Sequence, residues 1–205
     1  MGAAAIFTAL AMASLDTAIA NIALPAIAAD LHAGPSEIIS VVNVYQIAMV
    51  ATLLPLAALG EVVGHHRIYL GGLALFTVAS LFCAGAWSLT SLLTARVLQG
   101  LGAGGIMSVN TALVRFVYPG RLQGLGFGRN AMVVATAFTL GPTIASGILA
   151  IGPWSWLFAI NMPFVVVAIL IGLKTLPRTP RATYGFDFPG AMMAVVQAAW
   201  LRRHA

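Results

Sequence analysis

Charge is what this sequence has least of. Only 7% of its 205 residues are Asp, Glu, Lys or Arg, and 60% are hydrophobic. A soluble domain carries roughly 25% charged residues. Too few remain here to cover a water-facing surface, which excludes an ordinary soluble globular protein. A single cysteine excludes a disulfide framework and a multi-cysteine metal site. Four scattered histidines (His32, His65, His66 and His204) do not restore one, so no metal is expected. Acidic residues are half as many as basic ones, and the net charge is +5. Nucleic acid is nevertheless excluded as a partner. The basic residues form no face or stripe but sit in short gaps between apolar runs, the pattern that orients membrane proteins.

What the sequence has in abundance is long apolar runs. A membrane span needs about 20 such residues to cross about 30 Å of hydrocarbon. Runs of that order cover residues 3–29, 38–59, 68–86, 92–117, 131–151 and 157–173. The first is not expected to be cleaved as a signal peptide, because no basic residue precedes it and Asp16 lies in mid-run. A seventh run, 188–200, is too short to cross as a helix. The expected organisation is a six-helix bundle over residues 1–173, a cytoplasmic linker over 174–187, and an incomplete seventh span with a basic tail over 188–205. The gaps after runs two, four and six hold Arg67, Arg115, Arg121, Arg129, Lys174, Arg178 and Arg181, whereas those after runs one, three and five hold no Lys or Arg. The positive-inside rule therefore expects a multi-pass protein of the plasma (inner) membrane with a cytoplasmic N-terminus.

Polar groups inside the runs carry the chemistry. A charge at mid-bilayer costs between about 2.5 and more than 10 kcal/mol, so such residues face a bundle interior, find partners and mark function. Asp16 lies mid-run in the first span and Arg96 inside the fourth. Burial disfavours a carboxylate's charge and a nearby Arg restores it. An Asp held between these effects suits proton uptake and release; a static Asp16–Arg96 pair that only fixes packing is the other reading. Asn21, Asn43, Tyr45, Gln46 and Asn110 are expected either to line a polar cavity or to hydrogen-bond between helices. Glycines at 100, 102, 104 and 105 read as close helix packing. Pro25 and Pro55 read as helix terminators and Pro142 as a bend. Cys83 reads as a small core residue. Trp87, Trp154 and Trp156 read as interfacial anchors. Asn21-Ile-Ala-Leu24 and Asn110-Thr-Ala-Leu113 hint at an inverted three-plus-three repeat.

Five segments together resemble a known family. Residues 15–25 (LDTAIANIALP) are similar to the first-helix motif of the major facilitator superfamily, specifically the fourteen-span drug:proton antiporters of the EmrB/QacA type. Residues 60–67 (GEVVGHHR) resemble the signature loop between helices two and three, with Glu61 where Asp is usual and Val62, His65 and His66 where basic residues are common. Residues 96–103 (RVLQGLGA) resemble the fourth-helix motif with its embedded arginine. Residues 141–147 (GPTIASG) resemble the antiporter motif of helix five, with Ala145 and Ser146 in place of paired glycines. Residues 154–163 (WSWLFAINMP) resemble the segment that opens helix six.

The resemblance implies an all-α membrane protein with the six-helix N-terminal bundle of the major facilitator fold, a 3+3 inverted repeat, plus a truncated seventh span. It implies a proton-driven exporter of hydrophobic or cationic compounds that uses no cofactor beyond the proton gradient, and not an enzyme. Asp16 and Arg96 would couple the proton. Gly60, Glu61, Gly64, His65 and Arg67 would form a conformational loop. Gly141, Pro142 and Gly147 would shape helix five and limit leak. Six spans and a stub lead us to expect an N-terminal portion that needs the lipid bilayer and either a C-terminal half or a second copy, because transport in this superfamily uses two six-helix halves. A six-span channel lacks the ring of repeated polar residues it would need. An intramembrane protease would need a histidine deep in a span, and all four histidines fall in expected loops or the tail.

Overall fold

The computed structural model describes residues 2–175, all spans of which are helical. In a bilayer, backbone groups find no water and must be satisfied within their own segment, so apolar runs become helices. The order is α1 Gly2–Asp30, a short α2 Pro35–Ile38, α3 Ser40–Val63, α4 His65–Ala84, α5 Leu89–Val117, a single 3₁₀ turn Gly120–Leu122, α6 Gln123–Ile151, a short α7 Ser155–Ala159 and α8 Asn161–Thr175. Among the described residues, six segments are long and apolar enough to span a membrane. The fold class is therefore the expected one. The linker beyond Thr175, including Arg178 and Arg181, and the seventh run lie outside the described residues. Helix α8 runs two residues past the 173 boundary expected from hydropathy, through Lys174 and Thr175.

The turns follow local chemistry. Gly64 alone separates α3 from α4, with φ 108°, a conformation that L side chains rarely adopt. Ser88 caps α5: its hydroxyl accepts the Ser91 N–H at 3.2 Å, and the Ser91 hydroxyl accepts the Ser88 N–H at 3.1 Å. Pro119 leads into the 3₁₀ turn, and α6 then begins at Gln123, eight residues before its apolar run. The prolines correct one expectation. Pro25 and Pro55 do not end their helices but lie inside α1 and α3, as Pro142 lies inside α6. Proline removes a backbone hydrogen bond, yet each helix continues because its apolar residues remain packed or membrane-facing on both sides of the ring.

Helix α5 packs most extensively on α3 and α4, and α1 on α6 and α8. The buried side chains form two apolar clusters at the two ends of the bundle. One gathers Ile6, Tyr69, Leu73, Ile106, Leu113 and Val165. The other gathers Ile27, Ile38, Leu92, Trp154, Leu157 and Phe158. Between them, at one level of the bundle, lie the buried polar residues Asp16, Ser80, Arg96, Gln99 and Asn161.

Candidate functional site

The central polar layer is an ion pair inside a hydrogen-bonded shell. Arg96 Nη1 donates to Asp16 Oδ2 at 2.7 Å, with both side chains essentially inaccessible. The other carboxylate oxygen, Oδ1, accepts Gln99 Nε2 at 2.9 Å and Asn161 Nδ2 at 2.7 Å. Three donors from two other helices thus hold one carboxylate. Gln99 is the connector. Its Oε1 accepts a second bond from Arg96 Nη1 at 2.7 Å and the Cys83 thiol at 3.5 Å, and its Nε2 also donates to Ser80 Oγ at 2.9 Å. The Ser80 hydroxyl in turn donates to the Phe76 carbonyl at 2.8 Å.

Arg96 is held on its other sides as well. Its Nε donates to the Val41 carbonyl of α3 at 3.2 Å. Its guanidinium carbon stands 4.3 Å from the centre of the Tyr45 ring and 5.6 Å from that of Phe158. Aromatic faces attract a cation, and more strongly when it is out of water. Four of the spans therefore meet at one guanidinium–carboxylate pair, and α4 joins them through Gln99. Desolvating two charges costs several kcal/mol each, and a buried pair often stabilises no more than apolar residues of the same size. Stability is thus a weak reason for the pair, and the cost of losing one partner is high.

The sequence-derived site residues divide. Asp16 and Arg96 meet. Tyr45, expected either to line a polar cavity or to bond between helices, is fully buried with its ring against Arg96 of α5; an aromatic face suits a desolvated cation. Asn110 is nearly buried, and its Oδ1 has no partner among the described residues. Asn21, Asn43 and Gln46 are exposed, and Asn21 Nδ2 donates to the Thr17 carbonyl of its own helix at 2.9 Å. The Asn21 and Asn110 motifs therefore sit in unlike surroundings.

The expected conformational loop is helical except at Gly64: Gly60 and Glu61 end α3, and His65 and Arg67 open α4. A side chain at Gly60 would meet Val109 of α5 at 2.9 Å, so the last turn of α3 lies tight on the bundle. The His65 ring stacks 5.9 Å from Phe116, Glu61 lies close enough to act on His65 electrostatically, and Arg67 is exposed. In α6, a Cβ on Gly141 would come 2.5 Å from that of Ala18, two residues beyond Asp16, whereas one on Gly147 would meet nothing within 4 Å. On one side of this crossing, α1 and α6 part into an apolar cavity of about 480 Å³ lined by Ala11, Leu15, Val133, Ala137 and Leu140, with Arg129 at its edge. Among the described residues, no group of three or more His, Cys, Asp or Glu side chains could hold a metal ion.

Sequence reasoning missed three members of the layer: Ser80, Gln99 and Asn161. For Ser80 and Gln99 the available signal was position, since each lies well inside its own span; Asn161, near the start of the sixth run, offered none. It also misplaced Trp154. This side chain is not an interfacial anchor but is buried, and its Nε1 donates to Asp30 Oδ2 at 2.7 Å, because a Trp N–H needs a partner once desolvated. Trp87, by contrast, is 83% exposed.

The comparisons agree with this architecture. The chain matches the Major Facilitator Superfamily over residues 6–202. It is 51% identical to the uncharacterized transporter YebQ of Escherichia coli K12, over 90% of this chain and 41% of YebQ. It is 34% identical to the riboflavin transporter RibZ of Clostridioides difficile, over 89% of this chain and 40% of RibZ. It is 32% identical to MdtD of Salmonella typhi, a proposed multidrug resistance protein, over 93% of this chain and 40% of MdtD. The crystal structure of a D-xylose–proton symporter superposes on 98% of the chain and 52% of its own, with a TM-score of 0.71 at 14% identity, a likeness of fold alone. The chain spans about two fifths of the length of these curated relatives. With six membrane-capable helices, a buried ion pair at mid-span and a family match over nearly its whole length, the chain belongs to the major facilitator superfamily of membrane transporters.

Proposed function

We propose that the chain forms the N-terminal six-span bundle of a proton-coupled exporter of hydrophobic or cationic compounds. The observation that carries this reading is the Asp16–Arg96 pair, sealed between two apolar clusters. A carboxylate there is costly, and its protonation would weaken the three hydrogen bonds that α5 and α8 make to it at once. Asp16 takes up and releases the proton, Arg96 sets how firmly it is held, and the proton gradient is the energy source, with no cofactor. A second six-span unit, encoded beyond this portion or supplied by a second copy, forms the other wall of the path. Arg67, Arg115, Arg121 and Lys174 lie at helix ends that alternate along the chain, with Arg129 in the second turn of α6, which supports a cytoplasmic N-terminus in the plasma (inner) membrane. The drug reading is supported by the name of MdtD; that of RibZ adds flavins to the compounds worth testing.

The test is export driven by an imposed pH gradient in vesicles carrying the intact transporter, assayed with cationic dyes and with riboflavin. Asp16→Asn is expected to abolish it; undiminished pH-driven export by that variant would sink the mechanism. The second reading is a folded portion that does not transport alone. It is supported by the length relation to the relatives, and transport by the 205-residue chain alone would refute it.

A further inference from the structure

Asn161 stands where the sixth span breaks. Helix α7 ends at Ala159, Ile160 intervenes, and α8 starts at Asn161 itself. Ile160 keeps a helical backbone and its N–H donates to the Trp156 carbonyl at 2.9 Å, but Pro163, in the first turn of α8, brings no N–H to continue the ladder across the junction. Yet Asn161 is fully buried, and its Nδ2 makes one of the two shortest contacts to Asp16, 145 residues away. At its other end α7 is tied to α1 as well, through Trp154 and Asp30 at 2.7 Å. The short helix is therefore clamped to α1 at both ends. One clamp is an indole on a carboxylate at the bundle's end; the other is an amide on the buried carboxylate.

We infer that Asn161 is a positioning residue that couples the charge of Asp16 to the break in the sixth span: its amide holds the ionised carboxylate, and neutralising Asp16 frees the α7–α8 junction from α1. This rests on the reading of Asp16 as the protonatable group. Hydrogen bonds to a charged acceptor are roughly twice as strong as neutral ones, so a proton on Asp16 weakens the Asn161 contact along with those of Arg96 and Gln99. The Trp154–Asp30 clamp stays, so the junction pivots about Trp154. The other groups facing Asp16 belong to different elements and do not hold this junction. They are Arg96 and Gln99 of α5, Tyr45 of α3, and Cys83 of α4 through Gln99. Helix α6 brings Arg129 to the cavity beside Leu15.

Hydrogen–deuterium exchange of peptides covering residues 155–165 tests this in the 205-residue chain held in nanodiscs. Rates are corrected for intrinsic pH dependence, and peptides covering residues 106–117, the end of α5 remote from Asp16, serve as the control. Asp16→Asn is expected to raise junction exchange about fivefold, in keeping with the weaker neutral bond, with the control peptides unchanged. Asn161→Leu is expected to raise it as much, to add nothing to Asp16→Asn in the double variant, and to erase the wild-type response to lowered pH. Asn161→Gln, which keeps the amide donor, is expected to restore part of that response. Unchanged exchange in Asp16→Asn, or multiplicative effects in the double variant, overturns the coupling. Should Asn161→Leu lose helicity, Asp16→Asn and Asn161→Gln still decide. Loosening by Asp16→Asn with no wild-type response to pH supports the coupling and overturns the proton reading. An unmoved junction with Asp16-dependent export intact does the reverse.

Discussion

The α3–α4–α5 side of the bundle and the α1–α6 side use the same small residues to opposite ends. Around α5, glycines are backbone contacts. A Cβ on Gly100 would run into the Tyr45 carbonyl, one on Gly104 into Thr52, and one on Gly102 would lie 2.6 Å from the Phe76 nitrogen; a Cβ on Gly72 would lie 2.8 Å from the Gly102 carbonyl. Helix α5 is thus pressed onto α3 along Gly100 and Gly104 and onto α4 along Gly102 and Gly105. Around α6, only Gly141 touches α1 in this way, while Gly124, Gly128 and Gly147 face open space and a cavity of about 480 Å³ lies beside the crossing. A stripe of small residues is therefore not one structural device. Where glycine meets backbone it welds helices together; where it meets nothing it leaves the helix free to take a neighbour. The polar layer joins the two sides, since Asp16 belongs to α1 and its guanidinium partner to α5.

That contrast can be attacked in order of expected effect. Arg96→Met removes the link between the two sides and leaves a carboxylate buried without its charge partner. It is expected to destabilise the bundle by about 3–5 kcal/mol, read by thermal unfolding in detergent. Adding Asp16→Asn should recover part of the loss, and strictly additive losses would show that the pair is not coupled. Next comes Gly100→Ala. Its methyl meets a backbone carbonyl that cannot step aside, so a loss of about 1–3 kcal/mol is expected; a neutral result would mean that α5 and α3 are less tightly welded than their contact suggests. Gly141→Ala meets only the Ala18 methyl, and a loss of about 1 kcal/mol is expected. The smallest effect sharpens the comparison most. Gly147→Ala, six residues away in the same motif, should gain up to about 1 kcal/mol from helix propensity alone. Equal behaviour of the two α6 glycines in the same unfolding assay would break the distinction.

How much of this was legible in the sequence depends on the range over which each signal acts. The spans were legible because hydrophobicity is local: each run of about 20 apolar residues needs only itself to become a helix in lipid. Asp16 and Arg96 stood out because a charge among apolar neighbours is conspicuous wherever it finds its partner. Gln99 and Asn161 did not. They are uncharged, and Asn161 lies just where a tryptophan-rich segment opens the sixth span, so it reads as belonging to the membrane surface. Only the packing of the sixth span on the first shows that it reaches Asp16. Trp154 was misread, and Tyr45 was left between two readings, for the same reason: an aromatic side chain suits a cavity wall, an interface or a buried cation equally well, and only packing decides. The prolines were misjudged because helix-breaking is a local tendency, whereas the helices of a membrane bundle are held from outside.

The ion pair also sets a problem of timing. Asp16 and Arg96 are 80 residues apart in the chain. At the rates of protein synthesis that separation is roughly 4 to 16 seconds. For that interval the first span exists without the cation that balances it, and it must wait longer still for Asn161, 145 residues downstream. A lone Asp near the middle of a span costs about 2.5–3.5 kcal/mol on insertion scales, a penalty that the surrounding apolar residues of α1 are numerous enough to outweigh. The newborn first helix thus enters the membrane on hydrophobicity alone. The arrival of the fourth and sixth spans converts a tolerated defect into the fixed centre of the bundle.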